Sequence, residues 1–254
     1  MSEVSELPPR YRLPLRQGFD RSIAERLAPG IQVLDIGSGR HPTIPPDERP
    51  DGVRYVGLDL SELELVAAGP EAYDETIEAD ATRNLPELAD RFDLVVSWQV
   101  LEHVSNMRAT LDNVRSYLKP GGLFVAQFSG SWSVFGVINR ILPDRVGFRI
   151  VDRTMKRTEN NIPVFPAYYD RCSARQLDPL LAGWRSHHLT PIFAGAAYFN
   201  FLPPARRLYL AYENAIERRG ARNLATHYLL TAERKRRTAS IGDTASRRGG
   251  AENS

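Results

Sequence analysis

The sequence predicts an α/β protein with a doubly wound, mostly parallel β-sheet. Apolar runs rich in β-branched residues alternate along the chain with stretches whose apolar residues recur at helical spacing. Two glycines follow the first of these runs, in the stretch VLDIGSGR. Three predicted strands end near an aspartate, and sheets of this class bind ligands at the carboxyl ends of their strands. The 254 residues suffice for one large domain of this kind.

Each predicted element follows from its own periodicity and stop signals. Residues 1–18 contain three prolines and no sustained pattern, so an N-terminal arm is expected before a domain that spans 19–234. A Ser/Gly/Arg/Ala-rich tail over 235–254 is expected to be disordered. In chain order the predicted elements are helix 19–30, strands 31–37, 52–61, 75–80 and 91–98, helix 109–119 with a Pro-Gly-Gly turn over 120–122, strand 122–130, helix 173–184, strand 185–193, helix 203–220 and strand 225–234.

Composition and charge argue against several functional classes. Residues 232–254 carry a net charge of +3, so the rest of the chain sums to −1, and a near-neutral body argues against a nucleic-acid-binding face. The chain has no run of about 18 apolar residues, and its N-terminus lacks an apolar stretch of signal-peptide length. Cys172 is the single cysteine, which fits a reducing compartment. These features together predict a cytoplasmic protein.

The glycines Gly37 and Gly39 allow the backbone to approach a ligand closely. Asp59 ends the next strand, twenty positions after Gly39, where a carboxylate can accept both hydroxyls of a ribose. The third glycine of the dinucleotide fingerprint is missing, and residues 40–52 contain four prolines, which prevent a regular helix. A pyrophosphate needs a helix N-terminus at this place, whereas a nucleoside without phosphates does not. The loop therefore favours S-adenosylmethionine (SAM) over a nicotinamide dinucleotide.

Five stretches across residues 20–130 carry a family resemblance: VLDIGSGR, YVGLDLS, IEADATRNLP, FDLVVSWQVLEHV and LKPGGLFVAQF. In their order and spacing the chain resembles the class I SAM-dependent methyltransferases, especially small-molecule enzymes related to ubiquinone and menaquinone methyltransferases. The resemblance implies a Rossmann-like fold, SAM as cofactor, and an acceptor-side lid inserted after the fifth strand, over 130–170. A binding protein that keeps this fold without turnover is the alternative from another functional class.

The resemblance also implies roles for individual residues toward the methionine half of SAM. Around the methionine portion it places Asp35, Gly37, Ser38 and Gly39, with Asp35 near the amino group. Below the methyl-donating sulfonium it places Ser97, Trp98 and Gln99. These residues all follow or end predicted strands, so the resemblance and the strand-end rule point to the same edge of the sheet.

For the nucleoside half of SAM, the resemblance assigns four further residues. Asp59 holds the ribose hydroxyls, and Leu60 lies against the adenine. Asp80 accepts a hydrogen bond from the adenine amino group, and the Ala81 amide contacts the ring edge. The departure from the family pattern is the Arg-His-Pro sequence after Gly39, which puts the usual first crossover helix in doubt but leaves the ribose acid in place.

Methyl transfer to an alcohol also requires removal of the hydroxyl proton, so a base helps. His103, just beyond the fourth strand, is the candidate; a structural role at the start of the next helix is equally open. Glu102 is expected to face solvent, and no metal site is predicted, because no His/Asp/Glu cluster has ligand spacing. His187 and His188 point to opposite faces of one strand and are expected to be structural or exposed.

The acceptor is expected to be a small or lipid-linked molecule. Residues 130–170 are rich in large apolar side chains, and the basic amphipathic segment 134–153 fits either core packing or peripheral contact with the inner face of a membrane. Residues 164–177 and 212–230 resemble, more weakly, methyltransferases of surface-glycan and glycolipid assembly. O-methylation of a sugar or related hydroxyl is therefore predicted, with a quinone or polyketide aromatic as the alternative. The sequence indicates no oligomeric state.

Overall fold

A seven-stranded sheet, in the order β3-β2-β1-β4-β5-β7-β6, forms the centre of the fold. The computed structural model describes residues 8–133, 136–137 and 166–236. The strands are β1 (Gln32–Ile36), β2 (Arg54–Asp59), β3 (Glu75–Glu78), β4 (Phe92–Trp98), β5 (Leu118–Ser129), β6 (Ser186–Ile192) and β7 (His227–Glu233). Strands β1 to β5 pair in parallel, whereas β7 runs antiparallel to β5 and β6. The predicted doubly wound, mostly parallel sheet is confirmed.

Helices cover both faces of this sheet. In the described ranges they are α1 (Gln17–Ala24), α2 (Glu62–Ala67), α3 (Met107–Tyr117), α4 (Ala174–Leu181) and α5 (Pro203–Arg218). Helices α3, α4 and α5 bury apolar side chains in one core cluster, and α1 and α2 bury theirs in a second cluster on the other face. The side chains of Ser61 and Asn106 accept hydrogen bonds from the first turns of α2 and α3, which satisfies amide groups that lack a helical partner.

The strand order reverses between β1 and β4. Strands β2 and β3 continue on one side of β1, whereas β4 and β5 continue on the other side. The crossover connections diverge at such a switch point and leave a crevice at the carboxyl ends of the two central strands. The fold therefore opens a crevice beside the glycine loop, at the sheet edge for which the sequence predicts a ligand site.

The helices depart from the prediction in three respects. The helix predicted over 19–30 begins earlier and ends at Ala24. Helix α3 ends at Tyr117, close to its predicted end at 119, and the predicted turn over 120–122 lies within β5, whose first residue, Leu118, already pairs with Phe92. Helix α2 was not predicted; it buries a single apolar side chain, Leu65, which is too little for a periodic signal.

The connection from β1 to β2 contains no α-helix, only the short 3-10 helix Pro46–Glu48, as its prolines predicted. Side-chain hydrogen bonds, rather than helical backbone hydrogen bonds, fix the conformation of this loop. The Asp35 carboxylate accepts from the amide and the hydroxyl of Thr43, both at 2.7 Å, and from the Tyr55 hydroxyl at 2.7 Å. The Arg49 guanidinium lies 3.7 Å from the Tyr55 ring centroid. The loop thus has a buried polar anchor on the sheet.

The described part of the N-terminal arm docks on the C-terminal half of the chain. Arg10 donates to the Glu217 carboxylate at 2.8 Å. The Tyr11 hydroxyl donates to the buried Glu213 carboxylate and accepts from the Ala196 amide at 2.8 Å. The arm is therefore attached to α5 and to the loop that precedes it.

Several predicted features lie wholly or mainly outside the described residues. These are the acceptor lid over 130–170, the amphipathic segment 134–153 within it, and the tail from 237 onward. The division of the chain into an arm, a domain over 19–234 and a tail stays a prediction. None of the helices in the described ranges combines the length and the apolar content needed to cross a bilayer.

Candidate active site

A cavity of about 320 Å³ opens at the carboxyl edge of the sheet, beside the switch point. Its walls come from the ends of β1, β2 and β4, from the turn after β3, and from the chain beyond residue 165. Eight of the predicted site residues line it: Gly37, Asp59, Leu60, Asp80, Ala81, Trp98, Gln99 and His103. The cavity therefore collects residues from four of the five sequence stretches that carry the family resemblance.

Gly37 forms the closest approach of backbone to this cavity. Its φ is +72°, a left-handed conformation that favours glycine. A Cβ at this position would lie 2.3 Å from Val100 Cγ2, which no side chain can accommodate. The Gly37 amide donates to the Leu58 carbonyl at 2.7 Å and so fixes the loop against β2. Position 37 consequently requires glycine for both conformation and space.

Asp59 presents a fixed carboxylate at the end of β2. Its Oδ2 accepts from the Gly39 amide at 2.9 Å, and its Oδ1 accepts from the Ser61 amide at 3.0 Å. The residue is only 8% exposed, and this burial raises its pKa above the ordinary value. Each carboxylate oxygen has further lone pairs, so the group can still accept from two ligand hydroxyls.

A salt bridge borders this carboxylate on the outside. Arg40 donates to both oxygens of Glu64, at 2.6 and 2.5 Å, with the parallel geometry of a guanidinium–carboxylate pair. Arg40 directly follows Gly39, and Glu64 belongs to α2. The pair therefore ties the glycine loop to α2 across the Asp59 side of the cavity.

The adenine-side residues form a more open wall. Leu60 is 54% exposed, which leaves an apolar side chain available to an aromatic ring. Asp80 is exposed, and its Oδ1 accepts from the Thr82 amide at 2.8 Å. The Ala81 carbonyl accepts from Asn113 Nδ2 at 3.0 Å, so α3 holds this turn.

Trp98 and Gln99 lie at the end of β4. The Trp98 ring packs edge-on against Phe19, with centroids 5.0 Å apart, and the Arg16 guanidinium lies 4.9 Å from the Trp98 ring centroid. Gln99 has a φ of +56°, unusual for a residue with a side chain, and its amide donates to the Gln127 carbonyl at 2.7 Å. Such local strain is typical of functional positions.

His103 lines the wall of the cavity. Its Nδ1 lies 3.1 Å from the Pro166 carbonyl oxygen. A carbonyl only accepts hydrogen bonds, so the proton of the neutral imidazole resides on Nδ1. Nε2 then carries the lone pair that a general base requires.

Glu102 corrects an expectation from the sequence. It was expected to face solvent, but it is 4% exposed, and its Oε1 accepts from the Ser129 amide at 3.1 Å. Burial raises the pKa of this carboxyl. The short 3-10 helix Leu101–His103 turns its middle side chain inward beneath β5, a placement that the local sequence does not reveal.

Four predicted residues lie behind the cavity wall: Asp35, Ser38, Gly39 and Ser97. Asp35 is completely buried under the proline-rich loop, and this burial raises its pKa to about 6. The Ser97 hydroxyl donates to the Ile36 carbonyl at 3.2 Å and so ties β4 to β1. Gly39 supports Asp59 through its amide. In the described geometry these residues shape the site from behind.

Sequence reasoning missed two residues of the opposite wall, Pro166 and Tyr168. They reach the cavity after a long stretch of chain, and Tyr168 is 56% exposed at the rim. Both lie in the stretch 164–177 and in the predicted acceptor region, but no site role was predicted for either. Only the Pro166 contact with His103, made in the folded chain, reveals their place.

The lining fits SAM. A buried carboxylate, a glycine without room for a Cβ, and apolar side chains near Leu60 match a ribose, a closely approaching tail and an adenine. A family profile described as a methyltransferase domain matches residues 10–160, more than half of the chain.

The chain belongs to the family of class I SAM-dependent methyltransferases.

Its relatives agree with this assignment. The methyltransferase is similar to a ubiquinone biosynthesis O-methyltransferase of Nitrobacter winogradskyi, with 29% identity over 149 residues, 53% of this chain and 57% of the relative. The chain thus spans little more than half the length of the curated relatives that it matches.

Solved structures show the same fold. A SAM-dependent methyltransferase from Mesorhizobium loti matches 88% of this methyltransferase and all of its own chain, at 20% identity and a TM-score of 0.52. A phosphoethanolamine N-methyltransferase 2 of Haemonchus contortus, in complex with SAM, matches 87% of this chain and 53% of its own, at 15% identity and a TM-score of 0.52. At these identities the likeness extends to the fold alone.

Proposed function

We propose that this methyltransferase transfers the methyl group of SAM to a hydroxyl oxygen of a small molecule. His103 carries the proposal: it lines the cavity, and its Nδ1 is held on the Pro166 carbonyl, which leaves Nε2 as the basic atom. The ubiquinone biosynthesis relatives are named as O-methyltransferases, which supports the choice of oxygen.

SAM supplies an activated methyl group on a sulfonium. Asp59 is proposed to bind the ribose hydroxyls, and Leu60 the adenine face, with Asp80 and Ala81 at the ring edge. Gly37, which lines the cavity with backbone alone, is proposed to lie against the methionine portion. The protein mainly contributes proximity and alignment, because the methyl carbon is already activated.

His103 acts on the acceptor's proton. SAM would supply the methyl group to the acceptor oxygen and leave as S-adenosylhomocysteine, and Nε2 would take the proton that the hydroxyl loses. The imidazolium that forms stays bonded through Nδ1 to the Pro166 carbonyl, which favours its charge.

An aromatic hydroxyl, as on a quinone precursor, is the first candidate acceptor. The names of the curated relatives favour it, and the exposed Tyr168 ring at the cavity rim offers a stacking surface. A sugar or lipid-linked hydroxyl is the second candidate, supported by the likeness of residues 164–177 to glycan methyltransferases. A lipid-linked acceptor would place the enzyme at the inner face of a membrane.

A methyl-transfer assay with radiolabelled SAM tests this function. We expect label on 4-butylcatechol or, for the second candidate, on a methyl glycoside, and none on butylamine as an amine control. Label on the amine alone would refute O-methylation. Binding of S-adenosylhomocysteine without transfer to any acceptor would favour a non-catalytic SAM-binding protein, and displacement of that ligand by NAD would contradict the cofactor assignment.

A further inference from the structure

Unpartnered buried polar atoms concentrate around the end of β5 in the described part of the chain. They include Gln99 Nε2, Glu102 Oε2, Gln127 Oε1 and His227 Nδ1. A buried polar atom without a hydrogen bond costs free energy, so several of them together require an explanation. A shared missing partner is the simplest explanation that their positions allow.

Two of these side chains, those of Gln99 and Glu102, form hydrogen bonds with the same residue, Ser129. Glu102 Oε1 accepts from the Ser129 amide at 3.1 Å, and Gln99 Oε1 accepts from the Ser129 hydroxyl at 3.2 Å. Their remaining atoms, a carboxylate oxygen and an amide nitrogen, are an acceptor and a donor that do not bond to each other. A third group between them can satisfy both.

The other two side chains, those of Gln127 on β5 and His227 on β7, lie on the same face of the sheet as Ser129. His227 pairs directly with Ser129 across β5 and β7, so the two side chains share a face of the sheet. Gln127 lies two positions before Ser129 and points to that face as well. Burial lowers the pKa of His227 to about 4, so its imidazole is neutral at pH 7.

This polar region adjoins the cofactor cavity at the methyl-transfer end. Gln99 lines the cavity, and so does His103, the neighbour of Glu102 in the short 3-10 helix. The Gln99 side chain thus extends from the cavity wall to Ser129 at the end of β5, and the buried Glu102, which does not itself line the cavity, bonds to the same residue from behind the wall. A group that entered from the cavity would meet a donor and an acceptor held by a common anchor.

We propose that Gln99 and Glu102 form a hydroxyl clamp for an acceptor hydroxyl next to the one that is methylated. Glu102 Oε2 accepts the O–H of this neighbouring hydroxyl and Gln99 Nε2 donates to its oxygen, while His103 takes the proton of the methylated hydroxyl. The clamp rests on the proposed O-methylation. A hydroxyl is the matching chemistry because one oxygen both donates and accepts. An ammonium group would leave the Gln99 donor unpaired, and a carboxylate would face the Glu102 oxygen without a proton.

An exchange of the two side chains tests the clamp. Glu102→Gln leaves two donors, and Gln99→Glu leaves two acceptors, while each variant keeps the side-chain oxygen that bonds to Ser129. The double variant Q99E/E102Q restores one donor and one acceptor in exchanged positions, with the native net charge. Glu25→Gln, on the exposed end of α1, serves as the charge-matched control.

The first readout is binding, which needs no turnover. Enzyme saturated with S-adenosylhomocysteine is titrated with 4-butylcatechol and with its dimethyl ether, which lacks the hydroxyl protons. We expect the wild type to prefer the catechol, each single variant to lose about tenfold in catechol affinity, and the double variant to recover most of it. Affinity for S-adenosylhomocysteine is measured for every variant, and each catechol titration is run at a concentration that saturates that variant.

The outcomes separate the clamp from the proposed function. Equal wild-type affinity for the catechol and its ether would overturn the clamp, even if methyl transfer to a hydroxyl is observed. A catechol preference that the exchange abolishes and restores would support the clamp, even if the assay finds no transfer. Single variants that lower only the melting temperature, with catechol preference intact, would show that both side chains are structural and would overturn the proposal.

Discussion

Gly37 and Val100 are in contact across the floor of the cofactor cavity. A Cβ at position 37 would lie 2.3 Å from Val100 Cγ2 and 2.7 Å from its Cγ1. The loop after β1 and the residues after β4 are therefore packed without space between them. This contact joins the predicted methionine-binding loop to the turn that carries Gln99, Glu102 and His103.

Replacement of this glycine should disturb cofactor binding. We expect Gly37→Ala to weaken S-adenosylhomocysteine binding by about 1–3 kcal/mol, because the new methyl group must displace Val100 or the loop. Gly30→Ala is the matched control, since Gly30 has a similar φ of +74° but no atom within 4 Å of its Cβ position. The double variant G37A/V100A should recover part of the loss. Equal effects of both glycine replacements in calorimetry would mean that strain, not contact, explains the change.

The ribose assignment predicts a large effect at Asp59. Asp59→Ala should weaken SAM binding by about 2–3 kcal/mol, since two charge-assisted hydrogen bonds to the ribose are lost. Glu78→Ala, at the exposed end of β3, is the control and should leave affinity unchanged. Calorimetry that finds native affinity in the Asp59 variant would refute the ribose role.

The base assignment predicts a specific change in pH dependence. His103→Asn retains a donor for the Pro166 carbonyl but removes the basic Nε2, so turnover should fall by about two to four powers of ten while SAM affinity stays nearly constant. The rising limb of the wild-type pH–rate profile should disappear in this variant. His187→Asn on β6 is the control. Near-native turnover in the His103 variant would place the base elsewhere.

The buried His227 should make the free energy of unfolding decrease at acid pH. Its folded-state pKa of about 4 lies below the ordinary 6.5, so the unfolded chain binds the proton more readily and the folded state loses stability as pH falls from 6.5 toward 4. The loss amounts to about 3 kcal/mol. His227→Leu should flatten the dependence of the unfolding free energy on pH in this window, measured by urea denaturation. An unchanged slope would contradict a buried neutral histidine.

The buried Asp35 should give the free energy of unfolding the opposite dependence on pH. Its folded-state pKa of about 6 lies above the ordinary 3.8, so the folded state binds the proton more readily and gains stability as pH falls from 6 toward 3.8. This gain also amounts to about 3 kcal/mol and is lost again as pH rises through 6. Asp35→Asn should therefore make the protein more acid-sensitive than the wild type. The same denaturation series would disprove the assignment if this variant became less acid-sensitive.

The central strands and the glycine loop were predictable because their signals are local. A buried parallel strand is mostly apolar, as β1 is at Val33, Leu34 and Ile36, and the turn after β1 must have glycine at position 37. The prolines after Gly39 likewise exclude a helix by their own covalent structure. Helix α2 escaped prediction because one buried residue, Leu65, makes no periodic pattern.

By itself the sequence determined the fold class, the cofactor loop and Asp59, because each depends on residue types at short spacings along one strand and its turn. Only the tertiary structure decided the rest. Glu102 became buried because β5 covers it, and Pro166 came to His103 from beyond a long stretch of chain. Contacts between distant segments depend on how whole elements pack, which cannot be predicted from local sequence patterns.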